Sequence, residues 1–210
     1  MAPHGCSSRL LGRTEDLAVL HRLLDDAAGG RPNAVLLTGE AGIGKTRLLD
    51  ELAGAVAGRG GAVLVGDCVP LGEQHLPYAP IVQALRGMAR SSPAAAALID
   101  EAGLAPGELP GWPTPASGRP GSRDPASLPA TPGGQGRLFE LFLGLLSRLA
   151  GRGPVLVALE DLHWADRSTV SLLSFLHRHL ADEPVLLVGS TAASTSRSNT
   201  PFQLPAIGLG

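Results

Sequence analysis

The stretch that decides the fold runs from Gly39 to Arg47 and reads GEAGIGKTR. It contains the pattern G-x-x-x-x-G-K-[ST], follows the apolar run AVLLT at 34–38, and opens the helical pattern TRLLDELAGAVA at 46–57. A strand, a glycine-rich turn and a helix in this order are typical of a phosphate-binding loop. A glycine-rich turn matched by chance would not be expected to combine all of these features.

The residue types in this loop suit a triphosphate. Glycines let the chain curl until successive backbone N–H groups point inward at phosphate oxygens, and the following helix adds partial positive charge at its N-terminus. Lys45 can reach the β- and γ-phosphates, and the Thr46 hydroxyl can ligate Mg²⁺. The predicted cofactors are therefore ATP and Mg²⁺. The predicted cofactor-binding residues of the loop are Gly39, Glu40, Ala41, Gly42, Ile43, Gly44, Lys45, Thr46 and Arg47.

A second motif lies far along the chain, where the apolar run VLVALE at 155–160 leads into two adjacent carboxylates, Glu160 and Asp161. In phosphate-loop NTPases an acid at such a strand end holds Mg²⁺, and a second carboxylate can polarise the attacking water. We predict that Glu160 and Thr46 are the metal-side residues and that Asp161 and Glu160 are the catalytic acids. Alone, the motif would also fit a solvated strand end. For His163, a surface or supporting role and a role near the phosphates are both open.

Apolar runs alternate with helical patterns along most of the chain. The predicted strands are 34–38, 62–66, 155–160 and 184–189, and the predicted helices fall within 10–28, 46–57, 80–90, 94–102, 137–150 and 168–181. Strands that are apolar on both faces indicate a parallel sheet with helices on both sides. The predicted fold class is therefore α/β, a P-loop NTPase three-layer sandwich with a mainly parallel sheet.

Composition divides the chain into a folded part and three other segments. We assign residues 10–104 and 137–189 to the NTPase domain and residues 1–9 to a flexible N-terminus. Residues 105–136 are mostly Pro, Gly, Ser, Ala and Thr, and they cannot bury enough apolar area to offset chain entropy. They are expected to form a disordered insertion, and residues 190–210 an irregular C-terminal tail.

Charge and cysteine content exclude several classes of protein. A net charge of −2 and an aromatic content of 3% do not fit a general nucleic-acid or membrane-surface binder. No apolar run approaches the ~20 residues of a membrane span, and the N-terminus lacks the apolar segment of a signal peptide. Cys6 and Cys68 have no zinc-binding spacing. A cytoplasmic location without membrane contact is expected.

Several motifs together resemble the ATP-binding domain of the large LuxR-type transcriptional regulators, which belong to the STAND group of AAA-like signal-transduction ATPases. These motifs are LLGRTEDL, LLTGEAGIGKTRLLDELA, YAPIVQAL, RLFE and VLVALEDLHWADRSTVSLLSFL. The resemblance covers about residues 10–189 apart from the insertion. It implies that Gly12 and Arg13 lie near the adenine and ribose. It also implies that bound ATP switches the protein between closed and open assemblies and that hydrolysis resets the switch.

The chain departs from that family pattern in ways that bear on function. Glu160 stands where the family has Asp, and Ala192 stands near the position of an Arg that senses the γ-phosphate. Full-length relatives continue into a fifth core strand, a winged helix, a helical-repeat sensor and a DNA-binding helix-turn-helix. We accordingly expect the sheet to lack its last core strand and this chain to make no direct DNA contact.

The expected function is an ATP-binding module of a LuxR-type regulator that hydrolyses ATP slowly or not at all, because no Arg stabilises charge on the γ-phosphate. Its expected partners are ATP and a second chain, either another copy or a regulator protein. One alternative is a small-molecule kinase, which would need an Arg-rich lid that the sequence does not show. Another is a non-functional truncated remnant.

Overall fold

A computed structural model describes residues 13–70, 76–104, 132–192 and 206–209 of the chain. Its helices and strands alternate for most of this length. In chain order they are α1 (Thr14–Ala28), β1 (Asn33–Gly39), α2 (Lys45–Gly58), β2 (Ala62–Asp67), α3 (Ala79–Ser91), α4 (Pro93–Glu101), α5 (Pro132–Ala150), β3 (Val155–Glu160), a short 3-10 helix (Leu162–Trp164), α6 (Arg167–His179), β4 (Val185–Ala192) and β5 (Ala206–Gly208).

The strands form one five-stranded sheet in the order β2-β3-β4-β1-β5. Every strand pair in it is parallel. This arrangement confirms the predicted α/β fold with its parallel sheet. Because the strands are parallel, their carboxyl ends lie along one edge of the sheet, which is where ligands bind in open α/β sheets. The carboxyl-terminal residues of β1, β2, β3 and β4 therefore lie at this edge.

Two hydrophobic cores cover the two faces of the sheet. Successive strand residues point to opposite faces, so Val155, Val157 and Leu159 enter one core while Leu156 and Ala158 enter the other. Helices α3 to α6 supply the first core, and α1 and α2 supply the second. Each buried leucine of these helices contributes about 1.5–3 kcal/mol relative to exposure. The three-layer architecture therefore rests on strands that are apolar on both sides.

The expectation that the last core strand is missing is wrong. Residues Ala206–Gly208 pair with Leu36, Leu37 and Thr38 of β1. The Leu209 N–H donates to the Thr38 carbonyl at 2.7 Å, and the Leu209 side chain is buried in the core under α1 and α2. Three residues that include a glycine give almost no strand signal in a sequence. The pairing depends instead on backbone hydrogen bonds and one buried leucine.

Two predicted boundaries also change. Helix α5 begins at Pro132, inside the segment 105–136 that was expected to be a disordered insertion. Proline is favoured in the first turn of a helix, and the strongly helical residues after 136 extend back through the glycines. Strand β4 continues to Ala192, beyond the predicted end at 189. Residues 1–9 and 105–131 lie outside the described residues, as do 193–205 of the predicted tail.

Over the described ranges, no helix is both long and apolar enough to cross a membrane.

Candidate functional site

The phosphate loop connects the end of β1 to the start of α2. Gly42 and Gly44 have positive φ angles of 79° and 102°, a region that residues with a side chain rarely adopt. The Ile43 N–H donates to the Glu40 carbonyl at 3.3 Å, which closes a tight turn. The chain therefore curls at the carboxyl edge of the sheet and enters α2 with the helix N-terminus facing this edge, as the sequence predicts.

Lys45 is folded over this loop. The residue is 9% exposed, and its Nζ donates to the carbonyls of Gly39 and Glu40, both at 2.9 Å. A buried ammonium group without acceptors would be strongly unfavourable, so these two carbonyls stabilise it. The positive charge is thus held at the loop, where phosphate oxygens can replace the carbonyl acceptors.

Thr46 and Glu160, predicted as the metal-side pair, lie in direct contact. The Thr46 hydroxyl donates to Glu160 Oε2 at 2.5 Å and so joins the first turn of α2 to the end of β3. Strand β4 separates β1 from β3 in the sheet, so this contact spans the intervening strand. The structure therefore brings together two predicted metal ligands that are distant in sequence.

The electrostatic surroundings of Glu160 favour a cation. Burial raises the pKa of the Glu160 carboxyl, the Thr46 hydrogen bond partly opposes this, and the carboxylates of Asp67, Asp161 and Asp50 raise the pKa further. Negative charge is therefore concentrated at one end of the sheet. A hydroxyl and carboxylates are the ligands that Mg²⁺ prefers, and a divalent cation would relieve their repulsion. No group of three or more His, Cys, Asp or Glu in the described residues could hold a metal, so Thr46 and Glu160 fit Mg²⁺ as part of a ligand set that phosphate oxygens would complete.

Asp161 occupies a sharp turn beside this group. Its φ of 53° lies in the left-handed region, where Asp is tolerated better than most residues, and its N–H donates to Ser190 Oγ at 3.2 Å. Its side chain is 54% exposed, and Oδ1 lies 4.0 Å from Nδ1 of His163. Asp161 therefore faces solvent at the sheet edge, and His163 is its neighbour. Glu160, and not Asp161, is the residue that contacts Thr46.

The sequence reading missed Asp67 and Gln83. Asp67 ends β2 and is paired in register with Glu160. Gln83 of α3 clamps it, because its Oε1 accepts from the Asp67 N–H at 3.1 Å and its Nε2 donates to the Asp67 carboxylate at 2.8 Å. Gly66 allows this approach, since a Cβ there would lie 2.0 Å from the Pro80 carbonyl oxygen. The available signal was an acid directly after an apolar run, but its relevance depends on the strand order.

Arg13 lies at the other side of the phosphate loop. Its guanidinium donates to Asp16 Oδ2 and to the Ile43 carbonyl oxygen, both at 3.2 Å, and its side chain is 12% exposed. Arg13 therefore contacts the loop itself. Gly12, expected near the adenine, lies outside the described residues. Ala41 is exposed, whereas Arg47 is half-buried in the first turn of α2.

Ala192 ends β4 and is paired in register with Gly39, the first residue of the loop. Ala192, which the sequence comparison set near the position of an Arg in the LuxR-type pattern, thus lies directly beside the phosphate loop. A methyl group in this position supplies no charge.

A family model described as "AAA ATPase domain" matches residues 9–188. The chain belongs to this family. The match takes in both motifs of the site, the phosphate loop and the acidic end of β3. Membership of the AAA ATPase domain family agrees with a nucleotide-binding P-loop module.

Three similar proteins place this AAA ATPase domain in context. "Uncharacterized protein R02095" of Rhizobium meliloti (strain 1021) is 30% identical over 197 residues, which cover 88% of this chain and 19% of that protein. Cdc6p from Pyrobaculum aerophilum has a TM-score of 0.55 and 14% identity, covering 99% of this chain and 48% of that one. A chain from the structure of the Drosophila ORC bound to AT-rich DNA and Cdc6 has a TM-score of 0.51 and 13% identity. The match covers 93% of this chain and 54% of that one.

This chain corresponds to only part of each of these three proteins. The chain spans about a fifth of the length of the Rhizobium protein and about half of each of the two solved chains. At 13–14% identity the structural matches show the fold alone. They agree with a parallel five-stranded α/β sheet of the P-loop type.

Proposed function

We propose that this chain is the ATP-binding module of a LuxR-type signal-transduction regulator, and that it binds ATP with Mg²⁺ while hydrolysing it slowly or not at all. The observation that carries the proposal is the contact between Thr46 of the phosphate loop and Glu160 of the acidic strand end. Lys45, held over the same loop, completes a site with a cation for the phosphates and oxygen ligands for the metal.

The residues of the loop and of the acidic strand end would have separate roles in binding and hydrolysing ATP. The backbone N–H groups of 39–46 and the α2 N-terminus would surround the β- and γ-phosphates, and Lys45 would exchange its two carbonyl acceptors for phosphate oxygens. Thr46 and Glu160 would hold Mg²⁺, which neutralises phosphate charge when bound. Asp161, exposed at the end of β3, would accept a proton from an attacking water.

The uncharged side chain of Ala192 beside the loop supports slow turnover. An Arg paired with Gly39 would stabilise charge that develops on the γ-phosphate, and a methyl group cannot. Removal of one such electrostatic group typically lowers the rate about 100- to 1000-fold. ATP binding, which depends on the loop and the metal, would be retained. Retained ATP binding with slow hydrolysis suits a switch whose state depends on whether ATP is bound.

The regulator context rests on the LuxR-type motifs of the sequence, above all LLGRTEDL at 10–17 and DLHWAD at 161–166. The module would act through a second chain, either another copy or a regulator partner, without contacting DNA itself. The contact between Thr46 and Glu160 weighs against a remnant that kept its phosphate loop and lost the rest of its site.

Titration of the purified protein with a fluorescent ATP analogue, with and without Mg²⁺, alongside a phosphate-release assay, tests the proposal. We expect saturable binding that Mg²⁺ strengthens, with little or no phosphate release. The exposed Arg22→Ala variant on α1 is a control that should bind like the wild type. Absence of binding would refute the proposal, and rapid release would refute slow turnover.

A further inference from the structure

We propose that Arg13 is a positioning residue that holds the phosphate loop in its binding conformation through the carbonyl of Ile43. This inference rests on the proposed function, because it assigns a role within the same ATP site. It assigns Arg13 to the loop, whereas the family resemblance places this residue near the adenine and ribose. The contact that carries it is the hydrogen bond from Arg13 Nη2 to the Ile43 oxygen at 3.2 Å.

The peptide between Ile43 and Gly44 has few steric restraints of its own. Gly42 and Gly44 flank Ile43, both at positive φ, and a Cβ at either glycine would meet nothing within 4 Å. Glycine samples positive and negative φ with similar ease, so Gly44 adds little steric restraint to the rotation of this peptide unit. The hydrogen bond from Arg13 restrains its carbonyl end.

Fixing that carbonyl also fixes the neighbouring N–H group. All described peptide bonds are trans, and in a planar trans peptide the C=O and N–H point in opposite directions. Because Arg13 holds the Ile43 oxygen, the Gly44 N–H is directed to the opposite side of the peptide. Within the described residues, this N–H has no hydrogen-bond acceptor. It is therefore a donor already oriented and available for a phosphate oxygen.

Arg13 is itself well anchored for this task. Its backbone carbonyl accepts the Leu17 N–H at 3.0 Å, which joins it to α1, and Asp16 Oδ2 orients the guanidinium at 3.2 Å. Low exposure of the Arg13 side chain reduces competition from water. Hydrogen bonds from charged donors are about twice as strong as neutral ones. The contact thus fastens α1 to the loop.

The test compares a ligand that has a base with one that lacks it. Competition by ATP and by inorganic tripolyphosphate against the fluorescent ATP analogue is measured for the wild type, Arg13→Ala, Arg13→Lys and Asp16→Asn, with Arg22→Ala as the matched control. We expect Arg13→Ala to weaken both ligands by the same factor, roughly tenfold or more. Arg13→Lys, which retains one donor group, should recover part of the loss, and Asp16→Asn should cause a smaller loss.

The outcomes separate this inference from the proposed function. If the wild type binds neither ligand, both fail. If the wild type binds both and Arg13→Ala weakens ATP while leaving tripolyphosphate unchanged, Arg13 contacts the nucleoside and the positioning role is overturned. Unchanged binding of both ligands by Arg13→Ala would also overturn it. Should Arg13→Ala fail to fold, the same comparison of the two ligands is made with Arg13→Lys and Asp16→Asn.

Discussion

The phosphate loop and the acidic end of the sheet meet where Thr46 contacts Glu160, but they are built differently. The loop is a continuous segment whose binding groups are backbone amides, one lysine and one threonine. The acidic end is assembled from the ends of β2 and β3, with Ser190 of β4 and Gln83 of α3 in support. A continuous segment can be identified from its own sequence. An assembled one depends on strand order and register.

The largest expected effect comes from the loop. Lys45→Ala removes the only lysine of the chain and the cation held at the loop. We expect ATP affinity to fall at least about 100-fold, because truncating one member of a buried charge pair costs several kcal/mol. Titration with the fluorescent ATP analogue measures this, and thermal unfolding verifies the fold. Retained affinity in a folded variant would refute the assignment of the loop.

The next effect comes from the acidic end and depends on the metal. Glu160→Gln keeps an oxygen near Thr46 but removes the charge, so Mg²⁺ affinity in the presence of ATP should fall about 10- to 100-fold. ATP binding without Mg²⁺ should change little. Titrating Mg²⁺ at a fixed ATP concentration separates the change in Mg²⁺ affinity from any change in ATP affinity. An equal loss with and without Mg²⁺ would contradict the metal-side role of Glu160.

Asp161→Asn distinguishes the two adjacent carboxylates. Because Asp161 is half-exposed and does not contact Thr46, we expect ATP and Mg²⁺ affinity to remain within about twofold. Any phosphate release should fall about 100-fold, as for loss of a general base. Single-turnover release measured beside binding provides the comparison. If binding and release decline equally, Asp161 holds the metal instead.

The smallest effect is a change of pH dependence. Glu160 must lose its proton to hold Mg²⁺, and burial together with nearby carboxylates, Asp67 among them, raises its pKa. Mg²⁺-dependent binding should therefore strengthen as pH rises through that raised pKa. Asp67→Asn removes one of these charges, so the midpoint should move to lower pH. The exposed Asp100→Asn variant on α4 is the control, and an unchanged midpoint in Asp67→Asn would contradict this coupling.

Proton linkage gives the same raised pKa a consequence for stability. The folded state holds the Glu160 proton more tightly than the unfolded state does. The resulting stabilisation is fully present below the unfolded pKa and is lost as pH rises through the folded pKa. Relief of carboxylate repulsion by Mg²⁺ should oppose this loss.

The sequence predicted the parts of the fold that have strong local signals. Apolar runs identified β1 to β4, and the glycine-rich pattern predicted the loop between β1 and α2. Strand β5 was not predicted because its three residues give no periodic pattern. Its position depends on pairing with β1 and on the burial of Leu209. The start of α5 was predicted too late in the chain, because the two glycines that follow Pro132 interrupt the helical pattern.

The candidate site was predictable in the same uneven way. The motifs predict Thr46 and Glu160 as metal ligands, but their 2.5 Å contact depends on a sheet in which only β4 lies between β3 and β1. Asp67 could not be assigned, because only the register of β2 with β3 places it beside Glu160. Arg13 was associated with the nucleotide through a family pattern. Its contact with Ile43 is visible only in three dimensions.

The central claim is that the loop and the acidic end form one Mg²⁺-ATP site. The most direct measurement is a double-mutant cycle of Thr46→Val and Glu160→Gln on the Mg²⁺-dependent part of ATP affinity. We predict strong non-additivity, with a coupling of about 1 kcal/mol or more, because both side chains would ligate the same ion. Additive losses would show that the two residues act separately and would contradict a shared metal site.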